Sequence, residues 1–184
     1  MVKRAEIVDC VTYEDMRAQF RAEVMKAKEL RRIHIGEYLT LLFENHLTVR
    51  YQIQEMVRAE RIVRESDIVY EIDTYNELLG DEGELGCTLL IEIEDPALRD
   101  RKLREWWHLL PEKVYVVREN GTRIAATFDE RQRGEGRLSS VQYLKFKTNG
   151  SVPVAAGVDL GDLRNETPLK HEQQVALRAD LAER

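Results

Sequence analysis

The sequence predicts an α+β fold, a single domain in which an antiparallel or mixed sheet is packed by amphipathic helices. Three observations lead there. Apolar residues recur at helical spacing through most of the first 80 positions, then alternate through much of the second half. Gly36-Glu37 and Asn120-Gly121 are turn pairs set between short apolar runs, so strands are joined by hairpins as well as by a helix. The length, 184 residues, is that of one domain. Along it the expected parts are a helical and hairpin part over about 1–80, a sheet-rich part over about 86–148, and an irregular segment with a C-terminal helix over about 149–184.

Thr12, with Asp15 three positions on, caps a first helix whose stripe is Met16, Phe20, Val24, Ala27 and Leu30. Arg32 to Ile35 and Tyr38 to Phe43 then form strands about the two-residue loop Gly36-Glu37. Asn45 caps a second helix running to about Arg64. Ser66 caps a third through Leu79, with Ile68, Ile72, Tyr75 and Leu79 on its stripe. Cys87 to Ile93 is a strand, and Asp95-Pro96 is a cap with a first-turn proline that opens a helix to about His108. Val114 to Arg118 and Arg123 to Thr127 flank the Asn-Gly turn. Val141 to Lys147 alternates Val141, Tyr143 (less cleanly Leu144) and Phe146 with polar residues. Ser151 to Asp162 reads as irregular, and Thr167-Pro168 starts the C-terminal helix.

Composition excludes several classes. The net charge is −6, the wrong sign for a general binder of nucleic acid or anionic membrane. The longest hydrophobic run, Val114-Tyr115-Val116-Val117, falls far short of the ~20 residues of a membrane helix. The start, Met-Val-Lys-Arg-Ala-Glu-Ile, has no signal-like apolar run, which makes a cytoplasmic location the expectation. Two cysteines, Cys10 and Cys87, do not supply four thiolates for an iron–sulfur cluster or structural zinc. With no Gly-rich phosphate loop, Gly-x-Ser-x-Gly or Cys-x-x-Cys, no cofactor is expected.

The second helix breaks its own pattern. At about 100° per residue, Val49, Ile53, Met56, Val57 and Val63 share one face, and Glu60 falls in the middle of it. A carboxylate there must be solvated, paired, hydrogen-bonded or protonated. Either Glu60 reaches water or Arg64, or it is a desolvated acid with a raised pKa, fit for proton transfer or for holding a cation. Arg50, Gln54, Arg58 and Arg61 gather on the other side, with Tyr51 and Glu55 adjoining. They form either a solvated basic face or a fork for a carboxylate or phosphate. Elsewhere the signals are thin. Glu105-x-x-His108 has the spacing of one metal-ligating pair, but a carboxylate-bridged di-iron bundle needs two such pairs, so no metal site is expected. His34, His46 and His171 have no ligand spacing.

From about Arg31 to Ile93 the chain resembles an uncharacterised bacterial family, number 3501 in the series of domains of unknown function. The residues that carry the resemblance are Leu39 to Asn45, Thr48 to Met56, Arg58 and Glu60, Asp73 to Leu78, and Thr88 to Glu92. Members of that family are often encoded beside rubrerythrin and a cysteine-rich iron–sulfur oxidoreductase. The resemblance therefore implies a setting in peroxide defence or electron transfer, and a rubrerythrin-like or iron–sulfur protein as partner. It implies no catalytic residues. Two functional readings follow. The first is an accessory protein that binds a partner or small ligand through Arg50, Tyr51, Gln54, Glu55, Arg58, Glu60, Tyr75 and Asn76. The second is a small enzyme using Glu55 or Glu60 as acid and base on an anionic substrate held by Arg50 or Arg58. A recess joining Glu60, Tyr51 and residues 73–76 would favour chemistry.

Overall fold

The computed structural model describes residues 1–107, 113–132 and 134–183. The fold is α+β, with nine strands in two antiparallel sheets and five helices among the described residues. The first sheet has the order β1(Arg32–Ile35), β2(Leu39–Phe43), β3(Leu85–Ile91), β7(Val141–Phe146), β6(Thr127–Phe128). The second has the order β5(Arg123–Ala125), β4(Val114–Val117), β8(Ala155–Val158), β9(Asn165–Pro168). The sheets meet along both sides. Ala126 alone separates β5 from β6, so one bent run leaves the second sheet and joins the first. Opposite, the Thr167 hydroxyl of β9 donates to the His34 carbonyl of β1 at 2.8 Å.

Alternation then fills the space between the sheets. Ile33, Ile35, Leu39, Leu41 and Phe43 point inward with Leu85, Cys87, Leu89, Leu144 and Phe146, and meet Val114, Val116, Ala156 and Val158 of the second sheet. Leu103 and Trp106, from α4(Pro96–Glu105) and its C-cap, join this core, as does Leu177 of α5(His171–Ala182). The expected frame of β7 is corrected here. Gln142, Leu144 and Phe146 are buried, while Val141 and Tyr143 face outward. The segment expected to be irregular contains β8, all four of whose residues are buried, and Thr167-Pro168 ends β9 rather than starting α5.

A helical layer of α1(Cys10–Glu29), α2(His46–Ala59) and α3(Glu65–Asn76) has a core of its own. Val49, Ile53 and Val57 of α2 pack with Ile68, Ile72 and Leu79 and with Val2 and Ile7 of the N-terminal segment. Tyr51 turns instead toward Tyr13, Phe20 and Val24 of α1. The first helix starts two residues before its expected cap, because Asp9 accepts from the Val11 and Thr12 amides at 2.9 and 3.0 Å. Asn45 does cap α2, accepting from the Thr48 amide at 3.0 Å. The β1–β2 loop holds three residues, since Ile35 pairs with Leu39, and Gly36 takes its left-handed φ of +62°. Asp95 caps α4 as expected, accepting from the Leu98 amide at 2.6 Å. That helix ends at Glu105, and His108 lies outside the described residues.

The second helix ends at Ala59, not near Arg64. The Ile62 amide donates to the Val57 carbonyl at 2.9 Å and the Arg61 amide to the Arg58 carbonyl at 3.3 Å, the paired bonds of a Schellman stop. Arg61 takes the left-handed position, φ +54°, that glycine ordinarily fills. The third helix then begins at Glu65 with Arg64 as its N-cap, two residues before the expected cap Ser66. Its far end is laid directly on the first sheet. A Cβ at Gly86 of β3 would stand 1.8 Å from the Leu78 carbonyl oxygen, so only glycine lets the chain after α3 cross there.

Candidate functional site

The side chains expected to form a site on α2 are placed together, but they spend their bonds on the fold. Gln54, 2% exposed, grips the Val8 backbone in strand fashion. Its Oε1 accepts the Val8 amide at 3.0 Å and its Nε2 donates to the Val8 carbonyl at 2.9 Å. Asn76 of α3 repeats the device on Val2, at 2.8 and 3.0 Å. Arg50 donates through Nε to the Glu6 carbonyl at 3.1 Å and stacks on Phe20, 5.0 Å from the ring centroid. Tyr51 is buried and its hydroxyl accepts from Arg21 Nη1 at 2.7 Å. Arg58 pairs with Glu14.

Glu55 takes three bonds: Arg17 Nε and Nη2 at 2.8 and 2.9 Å, and the Tyr13 hydroxyl at 2.6 Å. The Arg17 fork, above all, holds its carboxyl below the ordinary range, and burial of Tyr13 beside it pushes that phenol well up. Glu60 is exposed. It is the C-cap of α2, one step past the turn at which the apolar face ends, and Val63 beyond it is 82% exposed. Glu60 and the pair Thr74 and Tyr75 line separate recesses, and Tyr51 is covered by α1.

The concave surface lies on the other side of α3. Because Gly86 admits the end of that helix onto the sheet, the outer faces of β6 and β7 and the flank of α3 enclose a cleft of about 870 Å³. Tyr70, Thr74, Tyr75 and Leu78 form one wall, and Thr127, Phe128, Tyr143 and Lys145 the other. Gln132 fixes the Tyr143 backbone beyond the end of β6, accepting its amide at 2.8 Å and donating to its carbonyl at 3.2 Å. Tyr75 is half-buried, with the Gln52 side chain beside its hydroxyl. Tyr143 is 40% exposed toward the cleft. Burial raises both phenols above their ordinary range, with Glu44 adding to the rise at Tyr143, so each stays a neutral hydroxyl donor.

Of the residues expected in a site, Tyr75 alone lines this cleft. Tyr143, Lys145 and Tyr70 were missed; the signal for Tyr143 was its place in an alternating strand whose frame admits two readings. Among the described residues, no group of three or more His, Cys, Asp and Glu is gathered as a metal site requires. His34 bonds the Thr40 hydroxyl at 2.8 Å and His46 pairs with Glu6 at 2.9 Å. No helix among them is long and apolar enough to cross a membrane.

Fold and cleft together define an α+β protein with a two-sheet core, a three-helix layer and an open groove between them. The chain belongs to the family described as protein of unknown function (DUF3501), whose model matches residues 1–181. Its structure is similar to the crystal structure, at 1.90 Å resolution, of a novel protein of unknown function from Burkholderia pseudomallei K96243. The two are 28% identical, the match covers 98% of each chain, and the TM-score is 0.88. No curated protein matches the chain.

Proposed function

We propose that this protein is a non-catalytic binding protein that holds a small organic ligand in the cleft between α3 and the β6–β7 edge. The observation that carries this reading is the composition of the cleft. Tyrosine rings line facing walls of a groove large enough for a drug-sized molecule, with hydroxyls, the Lys145 ammonium and the carboxylates of Glu77 and Asp129 to orient it. Flat apolar parts of a ligand would lie against Tyr75 and Tyr143, and its polar groups would meet Thr74 and Lys145. The accessory role, in an oxidative-stress or iron–sulfur redox setting beside a rubrerythrin-like or iron–sulfur partner, is supported by the family resemblance alone.

The geometry of Glu55 speaks against the enzymatic alternative. A general acid or base needs a free lone pair and a pKa moved toward neutrality, whereas both Glu55 oxygens are engaged and its pKa moves down. Arg50 and Arg58 are likewise tied into the fold, so exchanging them for glutamate disturbs stability as well as any interface. The test is native mass spectrometry of the protein isolated from its own cells. Wild type should carry a small molecule that the Tyr75→Ala/Tyr143→Ala variant loses while remaining folded. Retention of the same molecule by the variant would remove the cleft as its site.

A further inference from the structure

A second recess, of about 370 Å³, lies away from the cleft, where the end of α1, strand β1, the end of β9 and the start of α5 converge. Its walls carry Glu29, Arg32, His34, Thr167, Lys170 and Gln173. The polar groups of Thr167 and Gln173 are already used. Thr167 donates to the His34 carbonyl, and Gln173 donates to the Arg32 carbonyl at 2.9 Å and accepts the Lys170 amide at 2.8 Å. The cations are not used. Arg32 Nε is buried and has no hydrogen-bond partner, and among the described residues no carboxylate pairs with Arg32 or Lys170.

The surroundings sharpen the imbalance. Lys28, half-buried, lies against the face of Tyr51 at 5.5 Å, and Arg21 donates to that same tyrosine's hydroxyl. Burial lowers the Lys28 pKa. Arg32 and Arg21 lower it further, and only Glu44 opposes them. Lys170 is also the N-cap of the twelve-residue α5, where a side-chain acceptor is the usual choice and an ammonium offers none. In a chain of net charge −6, two cations, Arg32 and Lys170, therefore line one small recess in which Glu29 is the single carboxylate.

We infer that this recess binds a small oxyanion of the phosphate type, held by the Arg32 guanidinium and the Lys170 ammonium. A guanidinium fork and a point-charge ammonium are the groups that take such an ion. The inference is independent of the cleft, which shares no residue with it.

The experiment is a titration of the full chain with inorganic phosphate, followed by amide chemical shifts, at ionic strength held constant with sodium chloride. Saturable shifts should appear at residues 32–34 and 167–173. Arg32→Gln and Lys170→Gln should each weaken the fitted affinity by about tenfold, while Lys26→Gln on an exposed turn of α1 leaves it unchanged. Arg32→Lys, which keeps the charge and removes the guanidinium fork, should fall between wild type and Arg32→Gln. Absence of saturable shifts there in wild type would overturn the inference, whatever the variants do. So would equal binding by wild type and both glutamine variants.

Discussion

Gln54→Ala tests whether the polar face of α2 is scaffold or site. The substitution removes an amide that is 2% exposed and leaves the Val8 amide and carbonyl without their partners. An orphaned buried donor or acceptor costs about 1–3 kcal/mol. Val8 is half-buried, so water recovers part of each loss, and about 2–3 kcal/mol in total is expected. For a chain of this length that corresponds to a fall in the thermal midpoint of roughly 4–12 °C. Gln54→Met, which keeps the volume and loses both bonds, should cost nearly as much, which assigns the effect to hydrogen bonding. Urea melts of the three proteins measure it, with an unchanged slope showing that the unfolding reaction is the same. A loss below about 0.5 kcal/mol for Gln54→Ala, the range of ordinary surface changes, would refute the scaffold argument and return the residue to the candidates for ligand contact.

Three further outcomes follow from the same contacts. Asp180 of α5 is 2% exposed and takes two bonds from buried Arg31, at 2.7 and 2.8 Å, and one from Asn45 at 3.0 Å. Asp180→Ala strands the guanidinium and should cost about 3–5 kcal/mol in denaturant melts, most of which the double replacement Arg31→Met/Asp180→Leu recovers. Because the Glu55 pKa is lowered in the folded state from 4.5, its contribution is fully present above about pH 4.5 and is lost as pH falls below that value. Glu55→Gln should therefore show a flatter acid limb in stability against pH than wild type, and an identical limb would contradict this. Glu60→Leu, at an exposed C-cap, should leave stability within about 0.5 kcal/mol of wild type in the same melts.

Much of the fold was legible because its signals are local. Asn45 and Asp95 cap the helices they precede, and the Asn-Gly turn joins β4 to β5. What was illegible depended on atoms far along the chain. The stop after Glu60 has an arginine where glycine would have announced it, so the apolar repeat seemed to run on to Val63 and drew Glu60 into a face it does not share. The strand Ala155–Val158 is made mostly of small residues whose burial comes from β4 and β9 beside it and from the first sheet across the core. The side chains at positions 50–55 are rich in directional groups, but their purpose, holding residues 6 and 8 and α1, is not visible in the sequence, because the partners lie about forty positions away. The cleft was hidden for a further reason. It exists only if Tyr143 faces outward and Gly86 admits the end of α3, and neither follows from alternation in one strand.

The central claim, that the α3–β7 cleft is where this protein binds a small molecule, is tested most directly by nuclear magnetic resonance. A panel of planar aromatic and heteroaromatic fragments is titrated into the labelled protein and the shifted amides are mapped. The account predicts saturable shifts confined to residues 70–78 and 127–145, and their loss in Tyr75→Ala and Tyr143→Ala variants whose remaining spectrum is unchanged. Fragments that shift amides elsewhere on the molecule, or that shift these residues equally in both variants, would contradict it.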